Sequence, residues 1–211
     1  MPLWRLGSGS TSTLEITDEN ADSWIGLRCP QYQRCGQPHG QLVPRSHPRR
    51  RQRARFSEPI RALWAHQTNG SDFYVVSGSG VYKLTGLTAT PQLLGTLTTV
   101  TGPVSIADNG TQIFFATNPD GFIYNESTGA FGQITDPDFA GAVTVTYLDG
   151  YFVFNQPNSQ IIWVTQLLDG TSIDPLDFAS AEGSPDGVVG LISDHRELWV
   201  FGTDSVEVWY D

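Results

Sequence analysis

The sequence has no run of 18 apolar residues; its clean apolar stretches are as short as VVGLI at 188–192, so no segment spans a bilayer as a helix. It has two cysteines, Cys29 and Cys35, too few for a disulfide scaffold and close enough to close only a small loop. The opening MPLWRLGSGSTSTLE has an early arginine but not the continuous apolar core of a secretory leader, which points to a cytoplasmic chain or one carried elsewhere by partners. No G-x-x-x-x-G-K-[ST] or G-x-G-x-x-G stretch cradles a phosphate, and VSGSGVYKL places its glycines in a strand hairpin rather than ahead of a helix. His66 and His195 are solitary and no Gly-x-Ser-x-Gly elbow accompanies them, which argues against a nucleophilic triad.

Basic residues are scarce over most of the chain. Residues 56–211 hold Arg61, Lys83 and Arg196 against eighteen acids, or -15; residues 1–55 hold nine Arg against four acids, or +5, and the two parts sum to the net -10. They cannot share one electrostatic role.

Between Arg28 and Arg55 the chain reads RCPQYQRCGQPHGQLVPRSHPRRRQRAR, with eight Arg, four Pro and five Gln and little to bury. Packing cannot offset its ordering entropy, so residues 1–55 are expected to be a disordered or aberrant Arg/Pro-rich segment. Arg49, Arg50, Arg51, Arg53 and Arg55 form a basic arm that would neutralise phosphates by counterion release, although no aromatic is interleaved to stack on bases. Cys29, Cys35, His39 and His47 miss the usual zinc-ligand spacings, so no metal site is expected. Arg, Pro, Gln, His, Ser and Cys are also what a GC-rich coding strand yields out of frame. The character changes abruptly near Phe56, so a shifted reading frame is expected there.

After Phe56 the pattern has period two. FYVVSGSGVYKL (73–84), QIFFATNPDGFIYN (112–125), YFVFNQPNSQIIWV (151–164) and ELWVFGTDSVEVWY (197–210) each read as two strands around a turn. Each follows another apolar strand, and the aromatic-rich second strands begin at Phe73, Ile113, Tyr151 and Leu198, at intervals of 40, 38 and 47 residues. Weaker fourth strands fit QLLGTL (92–97) and FGQITD (131–136). A meander recurring at this spacing predicts an all-β, β-propeller-like domain over 56–211, about three and a half blades in an open or incomplete arc, in preference to a β-sandwich. The head offers no obvious strand to complete it.

Asn69-Gly-Ser71, Asn109-Gly-Thr111 and Asn125-Glu-Ser127 match the glycosylation sequon, and Asp120-Gly121, Asp149-Gly150 and Asp169-Gly170 invite a calcium reading. All six read as turns, since no alternating acids follow. The stretch SIDPLDFASAEGSPDGVVGL (172–191) carries Asp174, Asp177, Glu182 and Asp186 without a balancing cation. A propeller glycosidase would use such acids in pairs. Ser184-Pro185-Asp186-Gly187 instead fits a type I turn, Asp174 before Pro175 is held extended, and Asp177 is placed to accept local backbone N–H groups. The stretch reads as a shaped connector, and no catalytic, metal or cofactor-binding residue is assigned.

From Ile161 onward the sequence resembles the packaged-DNA stabilisation proteins, or tail hubs, of short-tailed bacteriophages. The resemblance rests on the strand Trp163 to Thr165, the DPLDFASAEGSPDG loop with Asp174, Pro175, Asp177, Phe178, Glu182, Ser184, Pro185, Asp186 and Gly187, the strand ending Phe201-Gly202, and the closing Glu207 and Trp209. Residues 57–160 share the blade layout with looser motifs, and residues 1–55 do not share it. The resemblance implies a longer, non-enzymatic virion tail protein without cofactors, assembled in the bacterial host cytoplasm. Its implied partners are the phage tail and portal-adaptor proteins, the tail needle, the tailspike and further copies in a homo-oligomeric ring. The -15 body suits a DNA channel wall that does not itself bind nucleic acid.

Overall fold

The computed structural model describes residues 5–6, 12–16, 52–66, 72–85, 90–184 and 186–210, and the regular structure among them is all β. Three short strands, β1 (Arg5–Leu6), β2 (Ser12–Ile16) and β3 (Gln52–Phe56), pair in that order. Four antiparallel meanders follow. The first is β4 (Ile60–Ala65), β5 (Asp72–Ser77), β6 (Gly80–Thr85) and β7 (Gln92–Thr96); the second is β8 (Ser105–Asp108), β9 (Gln112–Ala116), β10 (Gly121–Asn125) and β11 (Ala130–Gln133). The third is β12 (Val145–Leu148), β13 (Tyr151–Asn155), β14 (Ile161–Gln166) and β15 (Asp169–Ser180), and the fourth is β16 (Val188–Asp194), β17 (Glu197–Gly202) and β18 (Val206–Tyr210).

The four hairpins fall where the alternating pattern places them, with Val75 opposite Tyr82, Phe114 opposite Ile123, Phe154 opposite Trp163 and Trp199 opposite Val208. QLLGTL and FGQITD supply the outer strands β7 and β11. Residues Asp149 and Gly150 are both left-handed in the two-residue turn from β12 to β13, the geometry that matches strand twist. The turn from β16 to β17 uses the same conformation with His195 at φ 49° and Arg196 at φ 68°. A left-handed residue with a Cβ is strained by roughly 1 kcal/mol, so Arg196→Gly is expected to raise stability by about 1 kcal/mol, read as a higher urea midpoint at unchanged slope.

Two features differ from the sequence expectation. Strand pairing begins before Phe56, because STLEI alternates apolar and polar residues and Ser12–Ile16 aligns with Gln52–Phe56. Ala54 and Phe56 of β3 are buried against Val75 and Leu84 of the first meander. The rest of the Arg-rich segment, including Cys29, Cys35, His39, His47 and Arg49, Arg50 and Arg51, lies outside the described residues. The second difference is the stretch expected to be a connector, whose residues up to Ser180 form the outer strand β15. Ile161, Ile162 and Trp163 pair with Ser180, Ala179 and Phe178; the register then slips, and Thr165 pairs with Ile173. Pro175 lies within the slipped section of an outermost strand, where its missing N–H breaks no ladder.

The first strands of the meanders, β4, β8, β12 and β16, pack against one another in chain order. Apolar clusters fill the space between sheets: Tyr74, Ile113 and Phe115 between the first two, Phe114, Phe152 and Phe154 between the second and third, and Ile162, Leu198 and Val200 between the last two. Hydroxyls join the inner strands. Ser105 Oγ accepts from Val145 N at 3.1 Å, Thr144 Oγ1 from Leu191 N at 3.1 Å, and Thr146 Oγ1 from Ser193 N at 3.1 Å.

Asn155 joins this system from a fully buried position. Its Oδ1 accepts from Thr144 N at 2.9 Å and Thr144 Oγ1 at 2.7 Å, and its Nδ2 donates to Val188 O at 2.8 Å across the third and fourth sheets. Asn155→Ala would strand the Thr144 N–H and the Val188 carbonyl away from water. The expected loss is about 2–3 kcal/mol, measured by denaturant unfolding, whereas a loss below about 0.5 kcal/mol would show that water reaches these groups.

Candidate functional site

The acids of 172–191 divide by what they hold. Asp186 fastens its own loop to the turn between β17 and β18: its Oδ2 accepts from Asp204 N at 2.8 Å and Ser205 N at 3.1 Å, and its Oδ1 from Ser205 Oγ at 2.9 Å. These bonds, led by the one from Asp204 N, hold its pKa below the ordinary aspartate value. Gly202 stands beside it because any side chain there would collide; an added Cβ would lie 2.2 Å from Asp186 Oδ2. Gly187 O accepts from Thr203 N at 3.1 Å, and Ser184 O from Gln160 Nε2 at 2.6 Å. Glu207 completes the fastening, accepting from Gly183 N at 2.7 Å and Trp209 Nε1 at 2.9 Å. Asp186 and Glu207 thus make two fastenings between the loop and the last hairpin, the first with Gly202 beside it and the second carrying Trp209. Pro185 lies outside the described residues.

The other acids are less engaged. Asp174 Oδ1 accepts from Leu176 N at 2.9 Å, a local turn contact. Asp177 meets the side chain of Gln166 at 3.5 Å, rather than the backbone N–H groups the sequence suggested. Glu182 is exposed. Phe178 is half-exposed with its ring 5.3 Å from that of Trp163, and Phe201 on β17 is partly buried. A groove of about 460 Å³ opens beside this strand, between the third and fourth sheets, with Asp149 and Asp177 in its lining.

The cations of the acidic body are committed elsewhere. Arg61 on β4 donates to four backbone carbonyls, those of Gly78, Thr99, Thr101 and Gly102 at 2.7–2.8 Å, and to Thr99 Oγ1 at 2.9 Å. Lys83 Nζ lies 2.7 Å from Glu126 Oε1 and 2.9 Å from Asp72 Oδ2. Arg196 is exposed, 3.8 Å from Asp149. Of the basic arm, Arg53 and Arg55 lie on β3, with Arg55 exposed.

The Lys83 cluster is not singled out by the sequence analysis, because its members come from β5, β6 and the residues just after β4 and β10, in the first two meanders. His66 Nε2 lies 2.9 Å from Glu126 Oε2, and the Tyr74 hydroxyl bonds the same carboxylate. Burial pulls the Lys83 ammonium down, but hydrogen bonds to Glu126 and Asp72 outweigh it and leave it above the ordinary lysine value. Burial likewise pushes Glu126 up, while bonds from Lys83 and Tyr74 bring it below the ordinary glutamate value. Tyr74 is raised, first by burial and then by Glu126. Two carboxylates do come together here, with a lysine wedged between them and Glu126 held toward its charged form.

Among the described residues no group of three or more His, Cys, Asp or Glu is placed to hold a metal ion. The model of the family described as bacteriophage P22 Gp10, beta-propeller, matches residues 34–211, starting inside the Arg-rich segment. No curated protein matches the sequence. Three solved structures resemble the fold over 74% of this chain: the computationally designed Ika4 protein (14% identity, TM-score 0.53, 92% of that chain), BamB from Moraxella catarrhalis (12%, 0.51, 44%) and a chain of the Mitotic Checkpoint Complex (15%, 0.52, 52%). The chain spans about half the length of the last two, and at these identities the likeness shows the fold alone.

Proposed function

Because the chain belongs to the phage stabilisation family described as bacteriophage P22 Gp10, beta-propeller, whose members are structural virion proteins that stabilise packaged DNA, we propose that it acts as a tail hub. In this reading it attaches below the portal and its adaptor ring, lengthens the DNA channel, and offers seats to the tail needle and tailspikes. Several copies form a ring in the virion tail after assembly in the host cytoplasm. It works by closing the exit and forming interfaces, without turnover.

The family match along 34–211 carries the proposal. The charge supports its mechanism: a body of -15 whose Arg61 and Lys83 are tied up in hydrogen bonds cannot gain affinity by displacing counterions from DNA. A wall of that sign lets DNA slide past. A glycosidase reading finds no support in the paired acids, since Lys83 fills the space between Asp72 and Glu126 where a sugar and water would have to enter.

The test uses DNA-filled phage heads that lack this protein, incubated with the full chain and then exposed to nuclease. The expected result is sedimentation of the chain with the heads and retention of DNA. Heads that bind the chain yet lose their DNA, or heads that never bind it, would overturn the hub role. Salt-sensitive DNA binding by the chain, lost when Arg49, Arg50 and Arg51 are changed to Gln, would favour the basic arm instead.

A further inference from the structure

The turn from β14 to β15 consists of Leu167 and Leu168, between Gln166 and Asp169, which pair. Both leucines are 58% exposed. Leu168 stands at φ 59°, in the left-handed region where the second central residue of a turn is ordinarily Gly or Asn. It carries backbone strain without the burial that would offset it. A pair free of that strain follows directly, since Asp169-Gly170 reads as a turn in the sequence. The adjoining sheet prevents its use. Gln112 of β9 accepts from Gly170 N at 2.8 Å and donates to Asp169 Oδ1 at 3.4 Å. Gly170 is packed so closely that an added Cβ would lie 2.7 Å from Ile123 and 3.0 Å from Phe152. Asp169 and Gly170 therefore belong to the strand, and the two leucines are left at the tip.

The tip is also fixed in place. Leu168 N donates to Gly150 O at 2.8 Å, Leu168 O accepts from Asn109 Nδ2 at 3.4 Å, and Leu167 lies over Gly150, where an added Cβ would come within 2.6 Å of its Cδ1. Acids adjoin it on both sides, because Asp169 follows Leu168 and Asp149 precedes Gly150. Burial pushes Asp169 up, but hydrogen bonds from Thr171 and Gln112 outweigh it and bring it below the ordinary aspartate value. Asp149 meets Arg196 only at 3.8 Å. A strained residue that the surrounding structure holds in an exposed place is a sign of use.

We propose that Leu167 and Leu168 form a rigid apolar knob that enters a pocket on a protein of the phage head, apolar at its floor and rimmed by Lys or Arg that meet Asp149 and Asp169. The fixed backbone lowers the ordering cost of binding, and the acids select the basic rim. A second copy is the poorer occupant, because Arg61 and Lys83 of the body are tied up in hydrogen bonds and its acids would face these two. The knob rests on the tail-hub reading, from which the partner's place on the head is taken.

The test compares the natural full chain with Leu167→Ser plus Leu168→Gly, which removes the knob and the strain together. The urea midpoint of the variant should equal or exceed that of the natural chain. Its binding to DNA-filled heads that lack this protein, read by sedimentation over a range of chain concentrations, should nevertheless weaken at least about tenfold. Leu168→Asn alone, a residue that the left-handed turn accepts, should give the same two effects at smaller size. Asp149→Asn and added salt should each weaken binding several-fold. Variants that bind heads as well as the natural chain would overturn the knob and leave the hub reading standing. A natural chain that does not bind heads would overturn the hub reading and the knob with it. Binding indifferent to Asp149→Asn and to salt would overturn the basic rim, and self-association that the variant loses would overturn the choice of partner by making a second copy the occupant.

Discussion

Phe114→Ala is expected to cost about 3–5 kcal/mol, enough by itself to unfold much of a marginally stable chain. The ring is fully buried on β9, and its centroid lies 5.6 Å from that of Phe152, 5.9 Å from Phe154 and 6.4 Å from Phe139. Those three partners belong to the following meander and the loop that leads into it, so the truncation opens a cavity at a seam between sheets. The seam is rigid on both sides, which limits how far the cavity can collapse. Phe131→Ala at the outer strand is the control. Its side chain is only partly buried, and its loss should be clearly smaller. Urea unfolding followed by tryptophan fluorescence reads both, and equal losses would mean that the second and third sheets are not packed through Phe114.

The hairpins were legible because their information is local. In QIFFATNPDGFIYN the apolar residues, the turn residues and the length all lie within 14 positions, and each strand reports its own two faces. The bulged strand was harder, because Asp174, Pro175 and Asp177 score as a loop when read alone. Their extended path is set by Ile161 to Trp163, which pair with residues beyond them. Asp186 was placed in a turn, but its partners Asp204 and Ser205 come from the next hairpin and no spacing rule points to them. The same holds for Lys83 and Glu126, 43 residues apart. A period-two pattern says which face of a strand is buried, not which sheet it meets, so contacts across seams stay invisible.

Lys83→Ala tests the largest of these hidden contacts, with an expected loss of about 3 kcal/mol. Without the ammonium, Asp72 and Glu126 lose the cation that lies between them in a site whose side chains are 9% and 17% exposed, while the Tyr74 hydroxyl and His66 still meet Glu126. Adding Glu126→Gln to Lys83→Ala should recover part of the loss, because it removes one of the two like charges; a recovery of zero would show that water already screens them. The pH dependence carries the sign. Glu126 is held below its ordinary value of 4.5, so its contribution is complete above about that pH and is lost as the pH falls through the lower folded value. Lys83 is held above its ordinary 10.5, so its contribution is complete below that and is lost only as the pH rises through the higher folded value. The first two sheets of the natural protein are therefore clipped across the whole neutral range. In Lys83→Ala the acid limb should reverse: protonating the carboxylates relieves their repulsion, and the urea midpoint should rise between pH 7 and pH 4 while that of the natural protein stays level or falls. Parallel profiles for the two proteins would mean that Lys83 is not the group holding the acids together. A clip that holds Glu126 in its charged form suits a wall between sheets and is the opposite of the neutral acid that hydrolysis requires.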